Sequence, residues 1–304
     1  GTDMTINTGS HPKSLWPGVK AFFGKTYAEK PTVFSQVFDV RTSDKAYEEI
    51  VEETGFGLAP QKAEGAAVSF DTDKQGYVTR FTNVVYGLGA IVTREAIEDN
   101  QYESVAQRKA SKLARSMRQT KENVHANILN RAFTAAYAGG DTKELVATDH
   151  PTLSGTQSNE LAVAADLSEA SIEDMLTMVR LAKDSRGLRI QLEGRKLVIP
   201  AALAFEATRI LSSTNQSGTA NNDINAMKAM GVLSGGVVSW DYLSDDDAWF
   251  ILTDAPEGLL SMQRRALALT QDNDFDTENA RMKATERYTA GWGDWRGIFG
   301  SAGA

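Results

Sequence analysis

The feature that most constrains this fold is an uninterrupted helical periodicity over residues 102–137. Apolar side chains recur there at steps of three and four residues, the spacing that forms one face of an α-helix. They are Tyr102, Val105, Ala106, Ala110, Leu113, Met117, Val124, Ile128, Ala132 and Ala136. Because neither Pro nor Gly occurs before Gly139-Gly140, the pattern predicts one helix of about 36 residues, roughly 54 Å long. Helices in soluble domains average about 11 or 12 residues, so a monomer of this size would have difficulty covering both ends of such a rod.

The polar face of this predicted helix is basic. Its cations are Arg108, Lys109, Lys112, Arg115, Arg118, Lys121 and Arg131, and its anions are Glu103 and Glu122, so seven against two leaves +5. The whole chain carries a formal charge of −8, which makes this a local reversal of sign. Two interpretations stay open: a solvated helix paired with acidic neighbours, or a strip that lies against nucleic acid without reading its bases.

The composition of the chain excludes several classes of protein. The 304 residues, 41% hydrophobic and 24% charged, suffice for one large domain or two ordinary ones. No apolar run approaches the roughly 18 residues of a membrane span, and we expect no secretory signal. The absence of cysteine excludes disulfides and fits a reducing cytoplasm. Net acidity argues mildly against a free-standing, high-affinity nucleic-acid binder.

Residues 1–40 have the composition of an extended arm. Pro12, Pro17 and Pro31 are expected to interrupt any helix, yet the segment is too apolar for a disordered tail. Its large apolar residues are Leu15, Trp16, Val19, Phe22, Phe23, Tyr27, Val33, Phe34, Val37 and Phe38. They must be buried either against their own domain or against a neighbouring subunit. Gly1 in place of Met indicates either a removed leader or residues added ahead of Met4, and the sequence leaves both open.

A β-hairpin is predicted between the arm and the long helix. Ala66–Phe70 can pair with Tyr77–Phe81, because Asp71–Gly76 between them contains turn residues. So polar a hairpin has little core of its own, and we expect it to project from the body of the protein.

The rest of the chain mixes helices and strands, which predicts an α+β fold. A loop at 138–167 is followed by a helix capped by Ser168, a buried strand at Lys196–Ile199 and a helix that begins after Pro200. This alternation over residues 165–255 predicts a compact mixed domain. Residues 258–299 are again β-like.

No recognisable catalytic or metal-binding pattern is present. The histidines His11, His125 and His150 do not form a pair at metal-ligand spacing. Asp149-His150 is interpreted as structural, and His125 is expected on the polar side of the long helix. Serine-hydrolase elbows and phosphate-binding glycine loops are absent from the sequence. Runs of carboxylates such as Glu52-Glu53 and Asp245–Asp247 are interpreted as solvated surface. We therefore predict no enzyme, no cofactor and no catalytic or metal site.

Short motifs in a shared order carry a family resemblance over nearly the whole chain. They are Leu15-Trp16-Pro17-Gly18-Val19, Phe22-Phe23-Gly24, Ser43-Asp44-Lys45-Ala46-Tyr47-Glu48-Glu49, Gly55-Phe56-Gly57, Glu64-Gly65-Ala66-Ala67, Tyr86-Gly87-Leu88-Gly89, Thr93-Arg94-Glu95-Ala96-Ile97-Glu98-Asp99-Asn100, His150-Pro151 and the aromatic run at 288–299. In this order they resemble the Mu-like group of major head subunits of tailed bacteriophages, which share the Hong Kong 97-type capsid fold.

The resemblance implies a division of the chain. It comprises an N-terminal arm at 1–40, a connecting segment at 41–59, an extended loop at 60–92 that lies over a neighbouring subunit, a peripheral domain at 93–164 and 256–304 with the spine helix at 102–137, and an axial domain at 165–255.

The resemblance also implies a structural function and its partners. Such a major capsid protein self-assembles through hexamers and pentamers into an icosahedral head that encloses double-stranded phage DNA, within the cytoplasm of the host bacterium. The expected partners are further copies of this chain, DNA bound without sequence specificity, the portal, and scaffold, protease or decoration proteins; no membrane is involved. The candidate residues on a DNA-facing strip are Arg108, Lys112, Arg115, Arg118 and Lys121. The candidate inter-subunit contacts are Trp16, Phe22, Phe23, Lys74, Tyr77 and Arg80.

Two other functions stay open at this point. An encapsulin-like compartment would hold a cargo enzyme instead of DNA within the same fold. A soluble α/β enzyme would need a pocket with convergent polar groups, for which the sequence offers no set of catalytic residues. Some relatives fuse their shells through a lysine–asparagine bond, and Lys74 lies where such a lysine could sit, but no motif here matches the other residues of that reaction.

Overall fold

The computed structural model describes two compact units. The described residues are 11–95, 99, 102–215, 224–274, 276 and 279–304, with side chains for all of these except 11–18, 102 and 103. Unit 1 comprises residues 1–32, 83–124 and 263–289, and unit 2 comprises residues 33–82, 125–262 and 290–304.

The helices and strands of the described residues are as follows. The helices are α1 (His11–Ala28), α2 (Phe34–Val37), α3 (Tyr102–Asn130), α4 (Glu169–Arg180), α5 (Ala204–Ser212) and α6 (Ala226–Met230). The strands are β1 (Asp39–Thr42), β2 (Tyr47–Glu53), β3 (Gln75–Thr82), β4 (Val84–Val92), β5 (His150–Thr152), β6 (Gly155–Gln157), β7 (Gly194–Ile199), β8 (Val237–Ser239), β9 (Trp249–Thr253), β10 (Leu259–Asn273), β11 (Ala280–Trp292) and β12 (Ile298–Ser301). This mixture confirms the predicted α+β class.

Unit 1 is a layer of helix on one face of a sheet. Strand β11 lies between β10 and β4, and it pairs antiparallel with β4 from Ala280↔Val92 to Tyr288↔Val84. Alternate residues of β11 are buried, as expected for a sheet covered on one side. They pack with α1 and the first part of α3 in a core that contains Val19, Phe23, Val92, Ala106, Ala110, Leu113, Ala114, Met117, Ala280, Met282 and Ala284.

Unit 2 contains a sheet that is covered on both faces. Its strand order is β12-β9-β7-β8, with β7 and β8 parallel and the other pairs antiparallel. Trp249 and Ile251 of β9 pack in a core with α4, α5 and α6, whereas Phe250 and Leu252 pack in a second core with α2 and the end of α3. Four consecutive buried residues in β9 are the mark of a strand without a solvent face.

The long helix is confirmed, but it ends seven residues before the predicted Tyr137. Its 29 residues span about 44 Å. The chain turns after Asn130, where the N–H of Ala132 bonds to the carbonyl of Leu129, and the carbonyl of Ala132 accepts from Val146. Ala132 is thus buried, as its place in the apolar periodicity predicts, but it lies in a turn rather than in the helix.

The prediction that prolines prevent a helix in the arm is wrong for residues 11–28, which form α1. Pro12 lies in the first turn, where its missing N–H is not needed. The helix continues past Pro17, and its second half buries Val19 and Phe23 in the core of unit 1. Burial of these two side chains opposes the cost of the interrupted hydrogen bond.

The predicted pairing of Ala66–Phe70 with Tyr77–Phe81 is also wrong. Strand β3 pairs instead with β2, and residues 54–74 connect the two strands. The segment of β2 is acidic, but every second residue is at least half-buried: Glu48 and Glu52 share that face with Ile50, whereas Glu49 and Glu53 lie on the exposed face. This alternation is compatible with a ribbon that has one solvated face.

Candidate assembly and nucleic-acid-facing surfaces

Three of the five cations predicted to form a basic strip on α3 are exposed. Arg108, Lys112 and Arg115 are exposed and stand at positions i, i+4 and i+7, which place them in one row along the helix. Arg108 donates to the carbonyl of Ser104, and Arg115 lies 3.8 Å from the carboxylate of Glu29. Both contacts are at the surface and leave the guanidinium groups accessible. We define Arg108, Lys112 and Arg115 as the helix strip.

Arg118 and Lys121 depart from this row. Arg118 is partly buried and donates to the carbonyl of Pro31 at 2.6 Å. Lys121 is buried: its Nζ lies 2.6 Å from Oε1 of Glu286 and 2.8 Å from Oε1 of Gln263. Its side chain is only 10% exposed, so the prediction that Lys121 belongs to a DNA-facing surface is wrong. Lys121 is instead half of an internal ion pair in unit 1.

Sequence reasoning missed a second basic surface in unit 1. Because Ala280, Met282 and Ala284 of β11 are buried, the alternate residues point to the other face of the sheet. Arg281 and Lys283 are exposed there, and Arg287 and Arg264 are partly buried. In residues 280–287, cations alternate with Ala and Met, and this alternation could have predicted a strand with one basic face.

Charge is divided unequally between the two units. Unit 1 contains 16 Lys and Arg against 12 Asp and Glu, a formal charge of +4. The remaining 16 basic and 28 acidic residues give unit 2 a charge of −12, and the two values sum to the −8 of the chain. The acidity that argues against nucleic-acid contact therefore belongs to unit 2 alone.

The candidate contacts of the arm differ in burial. Phe22 is 37% exposed, whereas Phe23 is 5% exposed and packs in the core of its own unit. The prediction that Phe23 contacts a neighbouring subunit is therefore wrong, because Phe23 is an internal core residue. The side chain of Trp16 lies outside the described residues, and Phe22 remains available on the surface.

The loop between β2 and β3 exposes large apolar side chains. Phe56, Leu58, Val68 and Phe70 are 61%, 81%, 63% and 97% exposed. Exposed apolar groups clustered on one segment mark an interaction surface more often than a free one. We call residues 54–74, with these four side chains, the exposed loop. Lys74, at its end, is also exposed.

The base of the exposed loop is fixed by hydrogen bonds within unit 2. Asp73 Oδ1 accepts from the N–H of Gly55 at 2.7 Å, and Asp71 Oδ2 accepts from the N–H of Gly57 at 2.8 Å. The N–H groups of Gly57 and then of Thr72, followed by the Arg186 guanidinium, lower the pKa of Asp71. The exposed side chains are thus carried on a fixed base.

Tyr77 and Arg80 are engaged within their own chain. The Tyr77 hydroxyl donates to the carbonyl of Gly293 at 3.4 Å, and burial is the main cause that raises its pKa. Arg80 pairs with Glu49 at 2.8 Å and lies over the ring of Tyr47. Arg80 keeps an exposed side chain, whereas Tyr77 is turned inward.

The two histidines with described side chains are both buried. His125 is fully buried, stacks on Phe34 at 4.2 Å and lies 2.7 Å from the hydroxyl of Ser261. Its predicted place on a solvated face is therefore wrong, because α3 buries this position in unit 2. His150 contacts Asp141 and Asn159, in agreement with a structural role. Among the described residues, no three carboxylate or imidazole groups are placed to hold a metal ion, and no helix is long and apolar enough to cross a bilayer.

Comparison with known proteins decides the family. The model of the family described as phage capsid protein matches residues 76–301, about three quarters of the chain. The chain belongs to the phage capsid protein family. No curated protein matches this capsid sequence significantly, so the other likenesses are likenesses of fold.

Solved capsid structures share the fold of this phage capsid protein. The capsid of cyanophage P-SCSP1u superposes with a TM-score of 0.57 at 12% identity, over 90% of this chain and 89% of that one. Mycobacterium phage Che8 gives 0.52 at 16% identity, over 89% and 90%. The virus-like particle from Pyrococcus furiosus gives 0.52 at 10% identity, over 93% and 97%. The predicted Hong Kong 97-type capsid fold is therefore confirmed.

Proposed function

We propose that this protein is the major structural subunit of a phage head, which self-assembles into a closed icosahedral shell of hexamers and pentamers around double-stranded DNA. The observation that carries the proposal is the capsid family match over residues 76–301, supported by capsid folds that cover about nine tenths of the chain. Such a protein works by repeated contact between copies, and we assign it no reaction.

The described surfaces support assembly between copies. The exposed loop carries four apolar side chains that its own chain leaves open to water. Unit 1 is basic and unit 2 is acidic, so contacts between unlike units of neighbouring copies are electrostatically favourable. Assembly in the host cytoplasm, a place in the virion, and partners such as the portal and scaffold, protease or decoration proteins follow from the same proposal.

Electron microscopy and sedimentation of the purified chain test the proposal. We expect megadalton particles with icosahedral outlines under assembly conditions. Only monomers or dimers over a range of salt and concentration would contradict it. Nucleic acid inside native particles supports a phage head; a cargo protein in its place would favour an encapsulin-like compartment, whose fold is shared but for which the family match provides no support.

We infer that the helix strip faces the enclosed DNA. Its three cations lie on one side of unit 1, whereas Arg281 and Lys283 lie on the opposite face of the sheet. The double variant Lys112→Glu with Arg115→Glu should reduce the DNA retained in particles. The matched control is Arg281→Glu with Lys283→Glu, which has the same change of charge on the other face. Equal loss of DNA in both variants would show that net charge alone matters, and failure of assembly in the first would assign the strip to subunit contacts.

A further inference from the structure

The last strand of the sheet in unit 1 has one free edge. Strand β4 ends the strand order β1-β10-β11-β4, and no strand of the described residues pairs with its other side. A free edge carries a row of backbone N–H and C=O groups that can pair with another chain. The nine residues of β4 make this row long, because strands average about five or six residues.

Strand β4 lacks the features that usually prevent edge pairing, which are charged side chains, prolines, bulges and short length. Its residues Val84–Val92 include no charged residue and no proline. Its pairing with β11 proceeds one residue at a time from Val92 to Val84, without a bulge. Lys109 on α3 donates to the carbonyl of Ile91, but this flexible side chain can yield to a backbone N–H. The edge of β4 is thus open to another strand over most of its length.

The apolar side chains of β4 are incompletely covered by their own chain. Val84, Val85, Leu88 and Ile91 are each about half exposed. Val85 and Ile91 lie on the outer face of the sheet and Leu88 lies on the face towards the helices, since successive side chains of a strand alternate. A strand paired with this edge would cover side chains on both faces, because opposite residues of paired strands lie about 4.5–5.5 Å apart.

The residue order of β4 is nearly symmetric about Leu88. Read outward from Leu88, each direction gives a glycine, then Tyr86 or Ala90, then a β-branched residue, then a valine. Two copies of β4 aligned antiparallel about Leu88 therefore place Val85 opposite Ile91 and Tyr86 opposite the small Ala90. Apolar cross-strand pairs stabilise a sheet, whereas like charges directly opposite each other would destabilise it. The strand has no charge, so it is complementary to a second copy of itself.

We propose that β4 pairs antiparallel with β4 of a second copy about Leu88, which joins two four-stranded sheets into one. The inference rests on the proposed self-assembly and specifies one of its contacts. The pairing forms about eight to ten backbone hydrogen bonds. Because two identical strands meet about a two-fold axis, the contact closes on itself and links copies in pairs.

The two-fold axis of this pairing is compatible with a closed shell. The axis is perpendicular to the joined sheet, so the helix-covered faces of both copies lie on the same side. The helix strips of both copies then face the same side, as enclosed DNA requires. Arg281 and Lys283 on β11 lie three strand spacings from their counterparts on the second copy, roughly 14 Å. This exceeds the screening length of about 8 Å at physiological salt, so their repulsion does not oppose the pairing.

Cysteine substitution tests the alignment, because the chain contains no cysteine. In the proposed pairing the Cα atoms of the two Leu88 residues lie about 4.5–5.5 Å apart, within the range that a disulfide spans. Mild oxidation of particles, and of the free full-length chain, should convert most of the Leu88→Cys variant into disulfide-linked dimers. Val85→Cys is the matched control and should stay monomeric on denaturing gels, since the two Val85 residues are offset by about 20 Å along the strand.

The double variant Val85→Cys with Ile91→Cys should form dimers again, because each cysteine then faces one of the other copy. Shells of Leu88→Cys without disulfide dimers, or equal dimer formation by Val85→Cys, would overturn the pairing and leave the proposed function standing. Leu88→Cys dimers in a chain that never forms shells would support the pairing and contradict the proposed function.

Charge at the axis provides a second test. Because Leu88 faces itself, Leu88→Lys alone and Leu88→Glu alone each set like charges together, whereas an equal mixture of the two variants also forms pairs of opposite charge. Each variant alone should need a higher chain concentration than the wild type to associate, as measured by sedimentation, and the mixture should recover association. Leu153→Lys, which changes an exposed leucine of unit 2, is the control and should associate like the wild type. No recovery on mixing would contradict a pairing about Leu88.

Discussion

Phe70 and Phe81 lie near the same β-ribbon, yet their surroundings predict opposite effects of substitution. Phe70 is 97% exposed on the exposed loop, and Phe81 is 3% exposed against Leu260 and Met262. Phe70→Ser should change the free energy of unfolding of the single chain by less than about 0.5 kcal/mol. Phe81→Ala should lower it by about 3–5 kcal/mol, because a cavity remains.

Assembly should reverse the order of importance of these two residues. If a neighbouring copy covers Phe70, burial of its ring contributes about 1.5–3 kcal/mol per contact, equivalent to roughly 10- to 150-fold in each association constant. Because the contact is repeated over the shell, Phe70→Ser should raise the concentration at which particles form. Urea unfolding measures the first effect, and sedimentation at graded concentrations measures the second. A Phe70 variant that assembles like the wild type would refute the idea that neighbours cover this side chain.

Two further substitutions probe the interior of the units. Lys121→Met should lower the free energy of unfolding by about 3–5 kcal/mol, because Glu286 would be left as a buried charge. The double variant Lys121→Met with Glu286→Leu should recover most of that loss. Urea unfolding that shows no recovery in the double variant would contradict the ion pair. Tyr77→Phe should reduce the rate at which the free energy of unfolding falls with pH above pH 10. Burial raises the pKa of Tyr77. Its stabilising effect is therefore complete below the pKa of an unfolded tyrosine, near 10, and decreases as the pH rises further. Tyr27, whose pKa is raised to about 12 mainly by burial, should keep some slope in the variant, and an unchanged slope in urea unfolding between pH 10 and pH 11.5 would exclude the role of Tyr77.

Local signals predicted the elements whose own sequence carries the stabilising contacts. Ser168 caps α4 as expected, since its side chain accepts from the N–H of Ser171. The buried strand at Lys196–Ile199 is the end of β7, because consecutive apolar residues indicate a strand covered on both faces. The long helix was predicted for the same reason, from a periodicity that needs no partner to be recognised.

The elements that sequence reasoning missed depend on distant partners. Strand β2 is acidic, and only β3 and the half-buried alternation show it to be a strand. The helix α1 contains two prolines. The core of unit 1 that buries its Val19 and Phe23 is formed by residues some 70 to 260 positions away in the sequence. The sequence also does not show which charged side chains are buried. Lys121 and Arg115 both lie on the predicted polar face of the helix, although Lys121 is buried and Arg115 is exposed.

By itself, the sequence determined the fold class, the long basic helix, the capsid family and the absence of a recognisable catalytic motif, because these depend on residue order and local periodicity. Only the tertiary structure decided which cations face outward, which strand pairs with β3, and that His125 and His150 are buried. Those properties depend on contacts between side chains that are distant in the sequence. The free energy of a buried charge or an unpaired acceptor is determined by the partners that such contacts provide.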